Sequence, residues 1–187
     1  MPLTKIKSLG ITDGTIVNDD ISASAAIAST KLSGSFGITE ADSWRLTASI
    51  TATNGDITAN LERDDTTGFG YIGTGMTHSS GIFTFPSTGV YQIITYADWS
   101  ITNENETYVT IQTTTNNSTY TVRSYLYASS TGTAHSKSGS NSCFFDVTST
   151  ANCKVKFVTH SMNASCSLIG DTANNQTCFV FIRLGDT

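Results

Sequence analysis

A chain of 187 residues with 13% charged side chains, 38% hydrophobic ones and a net charge of −5 has room for one ordinary domain and an extension. Its acidic pI of 4.9 leaves no basic footprint for nucleic acid and no polybasic patch for a membrane surface. A mean hydropathy of −0.08 without a long apolar run argues against a membrane-spanning helix, and the opening MPLTKIKSLG lacks the apolar stretch of a secretory signal.

Residues 1–41 read as an arm. Their bulky aliphatics are Ile11, Ile16, Ile21, Ile27, Leu32 and Ile38, at gaps of five, five, six, five and six. That spacing fits neither the helical period nor strand alternation. SASAAIAST favours a short helix that Asp19 and Asp20 could cap. Its apolar face is almost entirely alanine, so it is marginal alone. The arm lacks the apolar area to offset its ordering entropy. Order is therefore expected only against sister chains or a host surface, with the isoleucines as pegs.

From Asp42 the texture becomes that of an all-β domain, residues 42–187. SWRLTASITA reads as the first strand and GFGYIGTGM as a short strand with tight bends. GIFTFPSTGVYQIITYADWSI gives a short strand, a Pro-Ser-Thr-Gly turn and a long apolar strand. ETYVTIQTTT and STYTVRSYLYAS flank a hairpin turn. SSTGTAHSKSGSNS reads as a loop of small polar residues, and CFFDVTS, CKVKFVTHSM and TCFVFIRLG as the closing strands. About eight to ten strands at this spacing make a sandwich or jelly roll.

Candidate chemistry is sparse. Cys143, Cys153, Cys166 and Cys178 allow three disulfide pairings and contain no C-x-x-C pair for zinc; buried thiols are expected. Sequons start at Asn105, Asn116, Asn117, Asn163 and Asn175, as they do by chance in a chain this rich in Asn, Ser and Thr. His78, His135 and His160 are scattered, and no nucleophile elbow, P-loop or zinc-protease motif occurs. The expectation is a non-enzyme with no cofactor and no metal. Glu62, Asp64 and Asp65 offer oxygen ligands for calcium, but a solvated turn beside Arg63 is the simpler reading. Tyr120, Tyr125, Tyr127 and Trp99 are expected in the core or an interface, with stacking on sugar rings as the alternative. Residues 103–106, 116–119 and 129–142 are the expected exposed loops.

Two resemblances give these features a context. Phe83, Phe85, Pro86, Gly89 and Tyr91 spell F-x-F-P-x-x-G-x-Y, and Phe179 and Phe181 lie in the closing TCFVFIRLGDT. Together these residues resemble the jelly-roll superfamily of complement C-one-q and tumour necrosis factor (TNF), over about Asp42 to Thr187. The resemblance implies a C-one-q/TNF-like jelly-roll β-sandwich and a homotrimer packed through apolar faces. ITDGTIVNDDISASAAIASTKLSG is similar to repeat-like segments of bacteriophage virion fibre proteins, notably marine ones. NLERDDTTGFGYIGTGMTHSSGIFTFPSTG is similar to the heads that follow them.

These resemblances imply a structural protein of the virion surface, assembled in the host bacterial cytoplasm. Residues 1–41 would attach it to capsid or tail proteins, and the head would form the trimer. Capsid decoration or a head fibre is favoured by the short arm. The alternative is a tail-fibre tip that binds a host-cell receptor or glycan, with Asn105, Asn117 and His135 facing it. Neither nucleic acid nor membrane insertion is expected. An extracellular cytokine-like module is the competing class, and the lack of a signal peptide counts against it.

Overall fold

The structure, a computed structural model, describes residues 21, 22, 25 and 37–187, leaving out the side chains of 104 and 105. The chain divides into two units, Met1–Phe36 and Gly37–Thr187. In the first, the Ala25 amide donates to the Ser22 carbonyl at 2.8 Å and Ile21 is exposed. The remainder of the helix expected there, its capping residues Asp19 and Asp20, and Ile11, Ile16, Ile27 and Leu32 lie outside the described residues. Ile38, in the second unit, is exposed.

The second unit is built from strands: β1 (Ala41–Leu46), β2 (Ile50–Thr51), β3 (Gly55–Asp56), β4 (Leu61–Arg63), β5 (Thr77–Ser79), β6 (Ile82–Thr84), β7 (Gly89–Ile101), β8 (Glu104–Thr114), β9 (Thr121–Ser130), β10 (His135–Val147), β11 (Lys154–His160), β12 (Cys166–Leu168) and β13 (Cys178–Gly185). The first sheet runs β2-β12-β7-β13-β1-β4, with β10 on the other side of β7; the second runs β5-β6-β11-β8-β9, with β3 also on β11. Every ladder is antiparallel.

Alternation decides what enters the core. On β7, Tyr91, Ile93, Thr95, Ala97, Trp99 and Ile101 are buried and the residues that alternate with them are half-buried or exposed. Val109 and Ile111 of β8 and Val155 and Phe157 of β11 meet them from the second sheet, with Phe179 and Phe181 of the adjacent β13 beside them. Phe83 of β6 stands among Trp44, Phe157 and Phe181 at ring separations of 5.5, 5.8 and 5.1 Å. The turn after it carries the chain from the second sheet to the first. The Tyr91 hydroxyl is hydrogen-bonded to the Ser87 hydroxyl (2.9 Å) and donates to the Ser87 carbonyl (3.1 Å), which fixes that turn. Gly89 has φ +139°, and a Cβ there would lie 2.5 Å from Arg183 Nε and from the Gly185 carbonyl. Only glycine lets β7 start so close to the end of β13.

Several segments differ from the sequence reading. Residues 129–142, expected as a loop, are the end of β9, a short turn and most of β10. Their serines pair residue by residue with β7 from His135↔Ile101 to Val147↔Gly89. Backbone hydrogen bonds set that ladder, and polar side chains suit an edge strand. SWRLTASITA splits into β1 and β2, and residues 104–106 begin β8 rather than ending a loop. GFGYIGTGM makes only the isolated bridges Ala41↔Ile72 and Thr67↔Phe69, because Gly73 and Gly75 sit at positive φ and break the extended chain. The strand count exceeds the expected eight to ten because six of the strands span only two or three residues: β2, β3, β4, β5, β6 and β12.

Candidate functional site

The outward face of the first sheet is unusually apolar for a face turned to solvent. Register aligns Ala41, Ile182, Gln92 and Phe144 in one row, and Ser43, Val180, Ile94 and Ser142 in the next. A third row holds Arg45, Cys178, Tyr96 and Ser140. Phe144 is 69% exposed and Tyr96 is 45% exposed. An antiparallel sheet with one solvated face ordinarily places polar residues there. The charge in these rows is withdrawn: Arg45 is fully buried, donates to Thr66 Oγ1 at 3.0 Å and is paired with Asp65 and, at 3.5 Å, Glu62. Asp98 and Asp146 flank the rows, opposite Ser138 and Val90. An apolar strip with a polar rim is the pattern of an interaction surface.

Beside this face the sandwich is open. β9 ends one sheet and β10 borders the other. Between them lies a cleft of about 260 Å³ lined by Trp99, Leu126, Ala128, Lys137 and Gly139. Thr95 Oγ1, Trp99 Nε1 and both amide atoms of Asn141 are buried without a hydrogen-bond partner. Such groups ordinarily find one.

The second sheet presents a different outward face. Register brings His160, Tyr108 and Tyr127 into one row, with Val158, Thr110 and Tyr125 in the next. Tyr108 stacks on His160 (4.6 Å, 11°) and packs against Tyr127 at 4.8 Å. Tyr125 and Tyr127 are near-parallel, 5.7 Å apart at 7°. His160 Nε2 is hydrogen-bonded to Thr110 Oγ1 at 3.1 Å, which also accepts from Gln112 Nε2 at 3.2 Å. Lys156 Nζ donates to both Asp56 oxygens at 2.9 Å and lies 4.5 Å from the centre of the Tyr120 ring.

Burial holds the His160 pKa below its ordinary 6.5, with the Asp56 charge opposing. The unfolded chain therefore takes up this proton at a higher pH than the fold does. Stability present above about pH 6.5 is lost as pH falls from there towards the depressed value. Melting temperatures measured across this window should decline, and His160→Gln should remove part of the decline.

The sequence-predicted residues fall into distinct places. Phe83, Phe85, Tyr91, Phe179 and Phe181 are buried in the core, Gly89 is buried at the start of β7 and Pro86 is half-buried in the turn before it. Trp99 is in the core, whereas Tyr125 (51% exposed) and Tyr127 (56% exposed) are not. Asn117 sits in the β8–β9 turn at φ +55°, its amide donating to the Asn152 carbonyl at 2.9 Å. His135 opens β10 at the opposite end of the sandwich, near the Glu104↔Ser130 pair. Asn105 belongs to β8 at that end, with its side chain outside the described residues. The structure thus separates Asn117 from the other two, because β8 runs the length of the sheet between them.

The remaining candidates are structural. Glu62 and Asp65 are partners of Arg45, and Asp64 Oδ2 accepts from Asn175 Nδ2 at 2.6 Å. Among the described residues, no three His, Cys, Asp or Glu side chains gather as metal ligands. His78 packs at 4.9 Å from Trp44 and 5.3 Å from Phe83, because β5 lays it over the core edge. The cysteines stand as thiols, not disulfides. Burial pushes Cys143 up to about 11 and Cys178 up to about 12, so both stay protonated and poorly nucleophilic near neutral pH.

No protein-family model matches the chain, and no curated protein matches it in sequence. Solved structures do match. Murine APRIL at pH 8.0 aligns at a TM-score of 0.56 and 9% identity, over 78% of this chain and 98% of that one. Eiger TNF from S. frugiperda aligns at 0.55 and 11%, over 79% and 93%. PRD1 vertex protein P5 superposes more loosely, at 0.48 and 15% identity over 80% and 100%, and adds nothing to the fold evidence. Two antiparallel sheets in this strand order, superposing on those two structures, give the Gly37–Thr187 unit a TNF-like jelly-roll fold.

Proposed function

We propose that the chain is a non-enzymatic structural protein of a bacteriophage virion. Its head, residues 42–187, forms a homotrimeric surface knob, and residues 1–41 anchor it to capsid or tail proteins. The observation that carries the trimer is the uncharged outward face of the first sheet, centred on Ile94, Val180, Ile182 and Phe144. Burying it against a second copy's open β9–β10 edge would cover the apolar rows. The virion assignment is supported by the arm's composition and its similarity to phage fibre segments. Capsid decoration or a head fibre suits so short an arm.

Deleting residues 1–36, the first unit, should leave a folded, trimeric head that no longer joins the particle. Occupancy on purified virions checks this, and full incorporation of the shortened chain contradicts the anchoring role. A tail-fibre tip that binds a host-surface glycan is the second reading. The exposed tyrosines of β8 and β9 favour it.

A further inference from the structure

We propose that the outward face of β11, β8 and β9 is a saccharide-binding platform, on which a neutral pyranose stacks against Tyr125 and Tyr127. This site supplies a ligand class for the second reading above, yet it stands on the face alone, so its failure leaves the trimer and the anchoring arm untouched.

Four observations carry it. First, aromatic side chains rarely stand half-exposed side by side without a partner, since each holds a large apolar area. Tyr125 and Tyr127 do so, at 51% and 56% exposure, as near-parallel rings 5.7 Å apart. The negative face of a tyrosine ring attracts the weakly positive C–H bonds on the flat side of a pyranose. Second, the platform is held rigid from beneath. Tyr108 packs against both rings, at 5.9 and 4.8 Å, and is itself stacked on His160. A rigid ring loses little entropy when a ligand lands on it.

Third, the charges select a neutral, hydroxyl-rich ligand. Lys156 is neutralised by Asp56, burial favours uncharged His160, and the whole chain carries a net −5. Arg123, two residues before Tyr125, is held to Thr113 Oγ1 at 2.8 Å, and the Glu106 charge near Tyr127 disfavours an anion. Half-buried Gln112 and the tyrosine hydroxyls provide polar groups beside the stack. Fourth, the patch is too small for a protein partner. Two tyrosines about half exposed offer on the order of 200 Å², against roughly 800 Å² per partner in a stable protein interface.

The test uses the full chain and soluble oligosaccharides: maltohexaose, cellohexaose and triacetylchitotriose, with a heparin tetrasaccharide as the anionic comparison. Saturation-transfer NMR and calorimetry should detect binding of at least one neutral oligosaccharide. Tyr125→Ala with Tyr127→Ala should weaken it about tenfold or more, with the melting temperature and the oligomeric mass unchanged. Tyr127→Phe, which keeps the ring, should retain most of the affinity. Binding of none of the neutral probes overturns the proposal, as does preference for heparin. So does undiminished binding by the double variant, or a change in its oligomeric mass, which would make the face a protein interface.

Discussion

Replacing Phe83 by alanine is expected to destabilise the head by about 3–5 kcal/mol, with the unfolding midpoint in denaturant falling at unchanged slope. Phe83 is fully buried, and its ring is ringed by Trp44, His78, Phe157 and Phe181 at 5.5, 5.3, 5.8 and 5.1 Å. These neighbours come from β1, β5, β11 and β13, which belong to both sheets. No single one can move into the space without leaving its own strand's register, so the cavity stays open and its cost is near the top of the range. Tyr91→Phe is the milder comparison. It keeps the ring and removes only the hydroxyl held by Ser87, at about 1 kcal/mol. Equal effects from the two substitutions would contradict the packing described for Phe83.

Ile94→Asp is expected to dissociate the proposed trimer while leaving the head folded. Ile94 lies at the middle of the uncharged rows, between Val180 of β13 and Ser142 of β10. It is on the solvent side of β7, so a carboxylate there is tolerated in an isolated head. In the trimer it would be buried among apolar groups without a cation. An uncompensated buried charge costs about 3–5 kcal/mol, and even one such penalty weakens association more than a hundredfold. Sedimentation should show monomers with an unchanged circular dichroism spectrum. Tyr125→Asp, on the opposite sheet, should leave the mass as it was. A trimer that survives Ile94→Asp would place the interface elsewhere.

The sequence carried the long apolar strands well, because their information is local. GVYQIITYADWSI alternates along β7, and in CKVKFV Val155 and Phe157 enter the core while Lys156 pairs with Asp56. Edge strand β10 was hidden because nothing in HSKSGSNS alternates in hydrophobicity. Its strand character comes from the backbone of β7 beside it, which is a tertiary fact. The aromatic platform was half legible. Tyr125 and Tyr127 share a parity, but Tyr108 and His160 join them only through the β8–β9 and β8–β11 registers, which no local pattern encodes. The acidic run Glu62–Asp65 was misleading for the same reason. Its partners, Arg45 and Asn175, lie on distant segments. The apolar face of the first sheet was visible only as half-buried positions between core residues, and it needed the strand order to become one surface.

The mass of the unmodified chain in dilute solution tests the central claim most directly. Sedimentation equilibrium at micromolar concentration should give a particle of three 19.9 kDa chains. A stable monomer, with Phe144 and Tyr96 left in water, would contradict it.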